Sequence, residues 1–148
     1  MKDVQDVLST PGVVLLEAQD LGHTDTKSAL VDLAGFEGCA IVVAIGALTG
    51  VDGSNYLTPI LYEGDTSVDT ALTAVAAADI KGPAFSKVDD GAEDSVVQMA
   101  IYVGAKRYVG VNLDYTSTGI SAGVVGVYAF PMHPLNAPKT SPAAVSRT

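Results

Sequence analysis

Tryptophan is absent from this 148-residue chain, cysteine occurs once, and the aromatic residues are three Phe and six Tyr. The lone Cys39 excludes an intramolecular disulfide and a Cys/His zinc cluster. Its place in an apolar run reads as a small core side chain. Two histidines, His23 and His133, fall in the predicted terminal arms and supply no rigidly held base for a nucleophilic triad. Charge is scarce at 17% of residues, against roughly 25% in ordinary soluble domains. It is also one-sided: 8 Lys and Arg against 17 Asp and Glu, a net charge of −9. Phosphate backbones repel such a surface, which argues against a nucleic-acid partner. The longest apolar run, Cys39–Leu48, is about half the ~20 residues that a membrane-spanning helix needs. Met1 to Leu8 alternates charged and apolar residues without a continuous hydrophobic segment, so no secretory signal is expected.

Cofactor and metal signatures are missing as well. No P-loop or dinucleotide fingerprint occurs, and Gly46–Gly50 reads as a loop, not a phosphate cradle. Asp52-Gly53-Ser54-Asn55 lacks the spacing and the distal Glu of a calcium loop. The acidic stretch Asp89, Asp90, Glu93, Asp94 reads as a solvated loop with at most a loose hold on a cation. The expectation is a chain without a catalytic site, cofactor or resident metal.

Ala, Val and Gly make up most of the apolar residues, a composition that favours close-packed strands over a helical core. The predicted fold is all-β: one antiparallel β-sandwich, jelly-roll-like, over residues 28–130, with an extended N-terminal arm (1–27) and a Pro-rich tail (131–148). In the arm, Val4, Val7 and Leu8 make one helical turn at most before Ser9-Thr10-Pro11-Gly12 stops it. Val13–Leu16 is a short strand that docks on the body. Ala29–Leu33 reads as a strand and Ala34-Gly35 as a turn. In Phe36–Leu48, Ile41, Val43 and Ile45 take one face and Ala40, Val42 and Ala44 the other. Both faces are apolar, as in a covered central strand or one whose outer face meets another subunit. Tyr56–Tyr62 holds Pro59, which marks an edge or a bulge. Residues 66–83 suit a short helix and a short strand equally. Ser95–Val103, Arg107–Tyr115 and Ala122–Phe130, joined by short connectors, are predicted to form an antiparallel meander. Four of the seven prolines, Pro131, Pro134, Pro138 and Pro142, then favour an extended tail laid along a partner.

The concentrated basic spot is Lys106-Arg107-Tyr108. It either pairs with a carboxylate on a neighbouring subunit or caps the edge of its own sandwich at a hairpin turn, and the second reading is preferred. With Pro131, His133, Pro134 and Pro138 of the tail, these residues form the candidate interface.

Several landmarks occur in a familiar order. They are Asp32-Leu33-Ala34-Gly35-Phe36-Glu37, Ala92-Glu93-Asp94, Gly104-Ala105-Lys106-Arg107-Tyr108-Val109, Val125-Gly126-Val127 and Met132-His133-Pro134-Leu135-Asn136-Ala137-Pro138. With the opening Met1-Lys2-Asp3, they resemble a family of small proteins from the head gene cluster of tailed bacteriophages and prophages. Its members share a G-[GSA]-K-R-Y-[VI]-R-V strand and a G-H-P-x-x-A-P ending. The chain departs from those motifs at Gly110, where the second arginine stands, at Met132, and in a longer tail, Lys139–Thr148. The resemblance implies a capsid decoration or cement protein on the outside of the virion head. The implied partners are the major capsid protein and further copies of the chain, as a homotrimer. A head–tail connector or tail protein is the nearest alternative. A carbohydrate-binding or host-adhesion domain is another, and it would depend on Tyr56, Tyr62, Tyr102 and Tyr115 as sugar platforms.

Overall fold

Alternation of buried and outward residues marks most of the five long strands, the last of which is buried continuously from Val109 to Leu113. They are β1 (Val13–Asp20), β4 (Phe36–Ile45), β5 (Leu57–Gly64), β8 (Val96–Tyr102) and β9 (Tyr108–Tyr115), joined by the eleven-residue β10 (Val124–Pro134). Short strands complete the set: β2 (Thr26–Lys27), β3 (Leu30–Asp32), β6 (Thr73–Ala74), β7 (Ile80–Lys81) and β11 (Ala144–Val145). The computed structural model describes residues 12–89, 96–121, 123–134 and 144–148. The fold is an all-β sandwich of two antiparallel sheets. Sheet A has the order β1-β10-β4-β8-β7, and sheet B the order β11-β3-β9-β5-β6, with β2 also paired to β9.

The core lies between the sheets. Ile41, Val43, Ile45, Val125, Val127 and Ala129 point inward from sheet A, and Leu57, Leu61, Val109, Val111 and Leu113 from sheet B, all essentially inaccessible. β-branched side chains dominate the sheet A set, and leucines from sheet B pack against them.

Three expectations need correction. The last three long strands do not form a meander: β8 and β10 lie in sheet A, whereas β9 between them lies in sheet B. The 103–107 connector is therefore an arch across the sandwich. A short Gly-containing link fits a hairpin and an arch equally; Tyr102 decides. Its side chain is buried between the sheets, and its hydroxyl oxygen accepts the Lys106 N–H at 2.9 Å. That bond draws the chain over the core rather than back along β8.

The body also begins earlier than residue 28. β1 is hydrogen-bonded to β10 in sheet A, with Val13 opposite Ala129, and Val13 and Leu15 belong to the core. Burying that apolar run outweighs leaving it as an arm. Residues 1–11, including the suggested helical turn, lie outside the described residues.

Finally, the region 66–83 contains no α-helix. It forms two single 3₁₀ turns, Asp69–Ala71 and Ala77–Asp79, separated by β6.

Two of the three strand prolines sit where a missing N–H costs no ladder bond. Pro59 lies on the stretch of β5 that β6 does not reach, since β6 pairs only with Tyr62 and Glu63. Pro131 pairs with Cys39 on β4 and lies beyond Val13, the first residue of β1.

Candidate functional site

The outer face of sheet A is apolar across β10, β4 and β8. Its cross-strand rows run Val14–Tyr128–Val42–Met99, then Phe130–Ala40–Ile101, then Gly126–Ala44–Val97. No outward position of β10, β4 or β8 in these rows carries a charge. Val97 is 69% exposed, Met99 54% and Val124 50%, with Val14, Val103 and Phe130 also exposed. Three strands ~4.8 Å apart over seven register pairs at ~3.3 Å per residue make a face on the order of 330 Å². That is in the range of the largest apolar patch on an ordinary monomer, which is often functional. Lys81, opposite Ile101 on β7, stands at one rim. Beside it, a hollow of about 360 Å³ opens among Glu37, Gly38, Ile101, Val103 and Met132.

The basic spot is used within the chain. Arg107 donates two parallel hydrogen bonds to Asp32, Nε to Oδ1 at 2.9 Å and Nη2 to Oδ2 at 2.8 Å, and lies 5.0 Å from the centroid of the Tyr108 ring. The hydrogen bond from Arg107 holds the Asp32 carboxyl below the usual carboxylate range, against the opposing effect of partial burial. Lys106 reaches Asp65 at 2.6 Å. The fork ties the Ala34-Gly35 turn to the arch, and Gly35 has a φ of 85°, which favours glycine. These residues cap one end of the sandwich, at an arch instead of a hairpin.

Pro131 is buried in β10, and His133 and Pro134 continue the pairing of that strand up to Phe36. Pro138 and the acidic residues 90–94 lie outside the described residues, and Asp89 pairs with Lys87 at 2.7 Å. Asp52 accepts the N–H groups of Ser54 and Asn55 and the Asn55 amide, so its carboxylate closes its own loop. No group of three or more His, Cys, Asp or Glu is placed to hold a metal ion among the described residues. No described helix is long and apolar enough to cross a membrane.

Inside the sandwich, Glu63 of β5 and Tyr102 of β8 point at each other from opposite sheets, and the Tyr102 hydroxyl donates to the Glu63 carboxylate. Burial and the neighbouring carboxylate raise the Tyr102 phenol above its ordinary range. A fully buried Tyr102 is no sugar platform, and burial pushes the Tyr115 phenol up to about 12.

Sequence reasoning missed Arg147. From the C-terminal segment its guanidinium enters the gap between β2 and β3, where its side chain is only 8% exposed. Nε donates to Ser28 O (2.8 Å), Nη1 to Asn112 Oδ1 (2.7 Å) and Asp69 Oδ1 (3.1 Å), and Nη2 to Val111 O (3.1 Å). Asp69 also pairs with Lys27. A Cβ at Gly110 would stand 3.1 Å from Arg147 Nη2 and 2.7 Å from Leu30 Cδ2. At the position where the resembled motif carries its second arginine, a guanidinium therefore arrives from elsewhere in the chain. The visible signal was an isolated arginine after a proline-rich stretch, which says nothing about where it docks.

No family model, no curated protein and no solved structure matches this chain.

Proposed function

We propose that the chain is a structural protein of a virion: a decoration or cement protein that binds the outside of a tailed-phage head and bridges capsomers. Its partners in this reading are the major capsid protein and further copies of itself, as a homotrimer. The observation that carries the reading is the uncharged outer face of β10, β4 and β8 in sheet A. A protein of net charge −9 has ample polar surface, yet this face is kept free of it. Five of the described cations, Lys27, Lys87, Lys106, Arg107 and Arg147, are held by carboxylates of the same chain, which leaves adhesion to apolar contact.

Magnitudes favour a multivalent role. Covering ~330 Å² of apolar face is worth on the order of 8 kcal/mol at ~25 cal/mol per Å². Association costs about 4–15 kcal/mol in lost freedom, so one face alone binds weakly. Joining several such contacts in one oligomer raises avidity ~10²–10⁴-fold without any new contact. The resemblance in the landmarks from Asp32 to Pro138 supports the same assignment.

Imaging of particles from the genome that encodes the chain tests it. The expected result is density for this sandwich on the outer shell surface in hundreds of copies. Six or twelve copies at the head–tail junction, or none on the particle, would refute it.

A further inference from the structure

We propose that the gap between β2 and β3 is an arginine-specific strand-docking site, and that the 144–148 segment of a second copy occupies it when copies are crowded together.

The receiving groups are all parts of the sandwich body. Ser28 O, Val111 O, Asn112 Oδ1 and Asp69 Oδ1 converge on one guanidinium, and each lies at least 35 positions from Arg147 in sequence. Three different planar directions are used at once, which a lysine ammonium on a flexible stem cannot reproduce. Asn112 is 7% exposed, and its amide oxygen takes the shortest of the four bonds. An empty site would leave that amide oxygen without this donor, while the Val111 carbonyl would keep only its bond from the Ser28 N–H, so the body is built to be filled by an arginine.

The incoming segment adds the rest by strand addition. Ala144 pairs with Val31 and Val145 with Leu30, and Thr148 exchanges backbone bonds with Ser67 and Asp69 at 3.0 and 2.9 Å. Main-chain pairing at a sheet edge with one side-chain anchor is a general mode of peptide recognition. Every one of these contacts is the same whether the segment comes from the same chain or from a neighbour. The segment's own copy has only the advantage of being tethered, an effective concentration of order mM. Beside the bound segment, a hollow of about 440 Å³ opens among Lys27, Ser28, Ala29, Asp69 and the segment's own Ser146–Thr148. Copies held side by side at comparable concentration would exchange segments and become linked.

A full-length variant with Val31→Cys and Ala144→Cys reads the exchange directly. These residues face each other in an antiparallel pair, where the Cα spacing suits a disulfide. The variant is equilibrated at ~10 µM and at ~1 mM, then oxidised, and the bridge is located by peptide mapping. A bridged monomer at ~10 µM is expected to give way at ~1 mM to covalent dimers and rings, with a rise of about tenfold or more in the oligomeric fraction. Adding Arg147→Lys should lower total bridging, within and between copies alike, because both use the same site. A bridged monomer alone at both concentrations would overturn the exchange. Total bridging unchanged by Arg147→Lys would overturn the arginine-specific site.

Discussion

Replacing Tyr102 by Phe removes one oxygen atom and tests how the two sheets are locked together. The hydroxyl makes two bonds across the sandwich: it donates to the buried Glu63 carboxylate and accepts the Lys106 N–H that closes the arch. Glu63 is 8% exposed and Tyr102 fully buried, so water cannot replace the bond between them. A hydrogen bond to a charged group contributes about 1.5–3 kcal/mol. Lys106 is exposed in the arch, where water can take the place of the hydroxyl oxygen. The Phe ring fills the same volume, so no cavity adds to this. The expected loss is about 2 kcal/mol, and a domain of this size should melt roughly 6 °C lower. Urea unfolding followed by circular dichroism measures it, with an unchanged slope showing that the folded state is intact. The companion variant Glu63→Gln keeps an acceptor for the hydroxyl and should lose less. A Tyr102→Phe protein within ~0.5 kcal/mol of the parent would refute the idea that this bond set fixes the crossing between sheets.

Two further outcomes follow from the same geometry. Asp32 has its folded-state pKa depressed by Arg107, so its contribution is fully present above the unfolded value of ~3.9 and is lost as pH falls through the lower folded value. Because Arg107 is half exposed, that contribution is under about 1 kcal/mol. Unfolding free energies of the parent and Arg107→Ala between pH 2 and 7 should therefore converge at the acid end; curves that stay parallel would contradict the pairing. Cys39 is fully buried, and burial pushes its thiol up to about 12. A thiol reagent at pH 8 should label it only at the rate of global unfolding, and labelling of the native protein within minutes would count against this core.

How much of this was legible in the sequence depends on whether local or distant contacts decide the feature. The inward alternation of Val109, Val111 and Leu113, and the two apolar faces of residues 40–45, gave the strands and the all-β class, because a period of two is a local property. The same double-sided pattern suited either a covered central strand or an apolar outer face, and the structure leaves the outer side of β4 on the apolar face of sheet A. Sheet membership was not legible. A short Gly-containing connector suits a hairpin or an arch, and the choice rests on Tyr102 meeting Glu63, 39 positions away. The docking of β1 was half visible in Val13–Leu16, whose partner β10 lies more than a hundred residues on. Arg147 was invisible as a docking residue, since its acceptors are two backbone carbonyls and two side chains that only the fold brings together. For Lys106 and Arg107, the preferred reading of an edge cap agrees with their carboxylate partners Asp65 and Asp32, while the partners themselves could not be named from spacing.

Adhesion through the outside of sheet A is tested most directly by placing one charge in its middle. Met99 is 54% exposed, in the row with Val42 and Tyr128, so Met99→Glu should leave the unfolding free energy within about 0.5 kcal/mol of the parent. Co-sedimentation of the parent and the variant with heads that lack the protein is the measurement. The parent should pellet with the heads, and the folded Met99→Glu protein should stay in the supernatant. Equal binding by both proteins would contradict it.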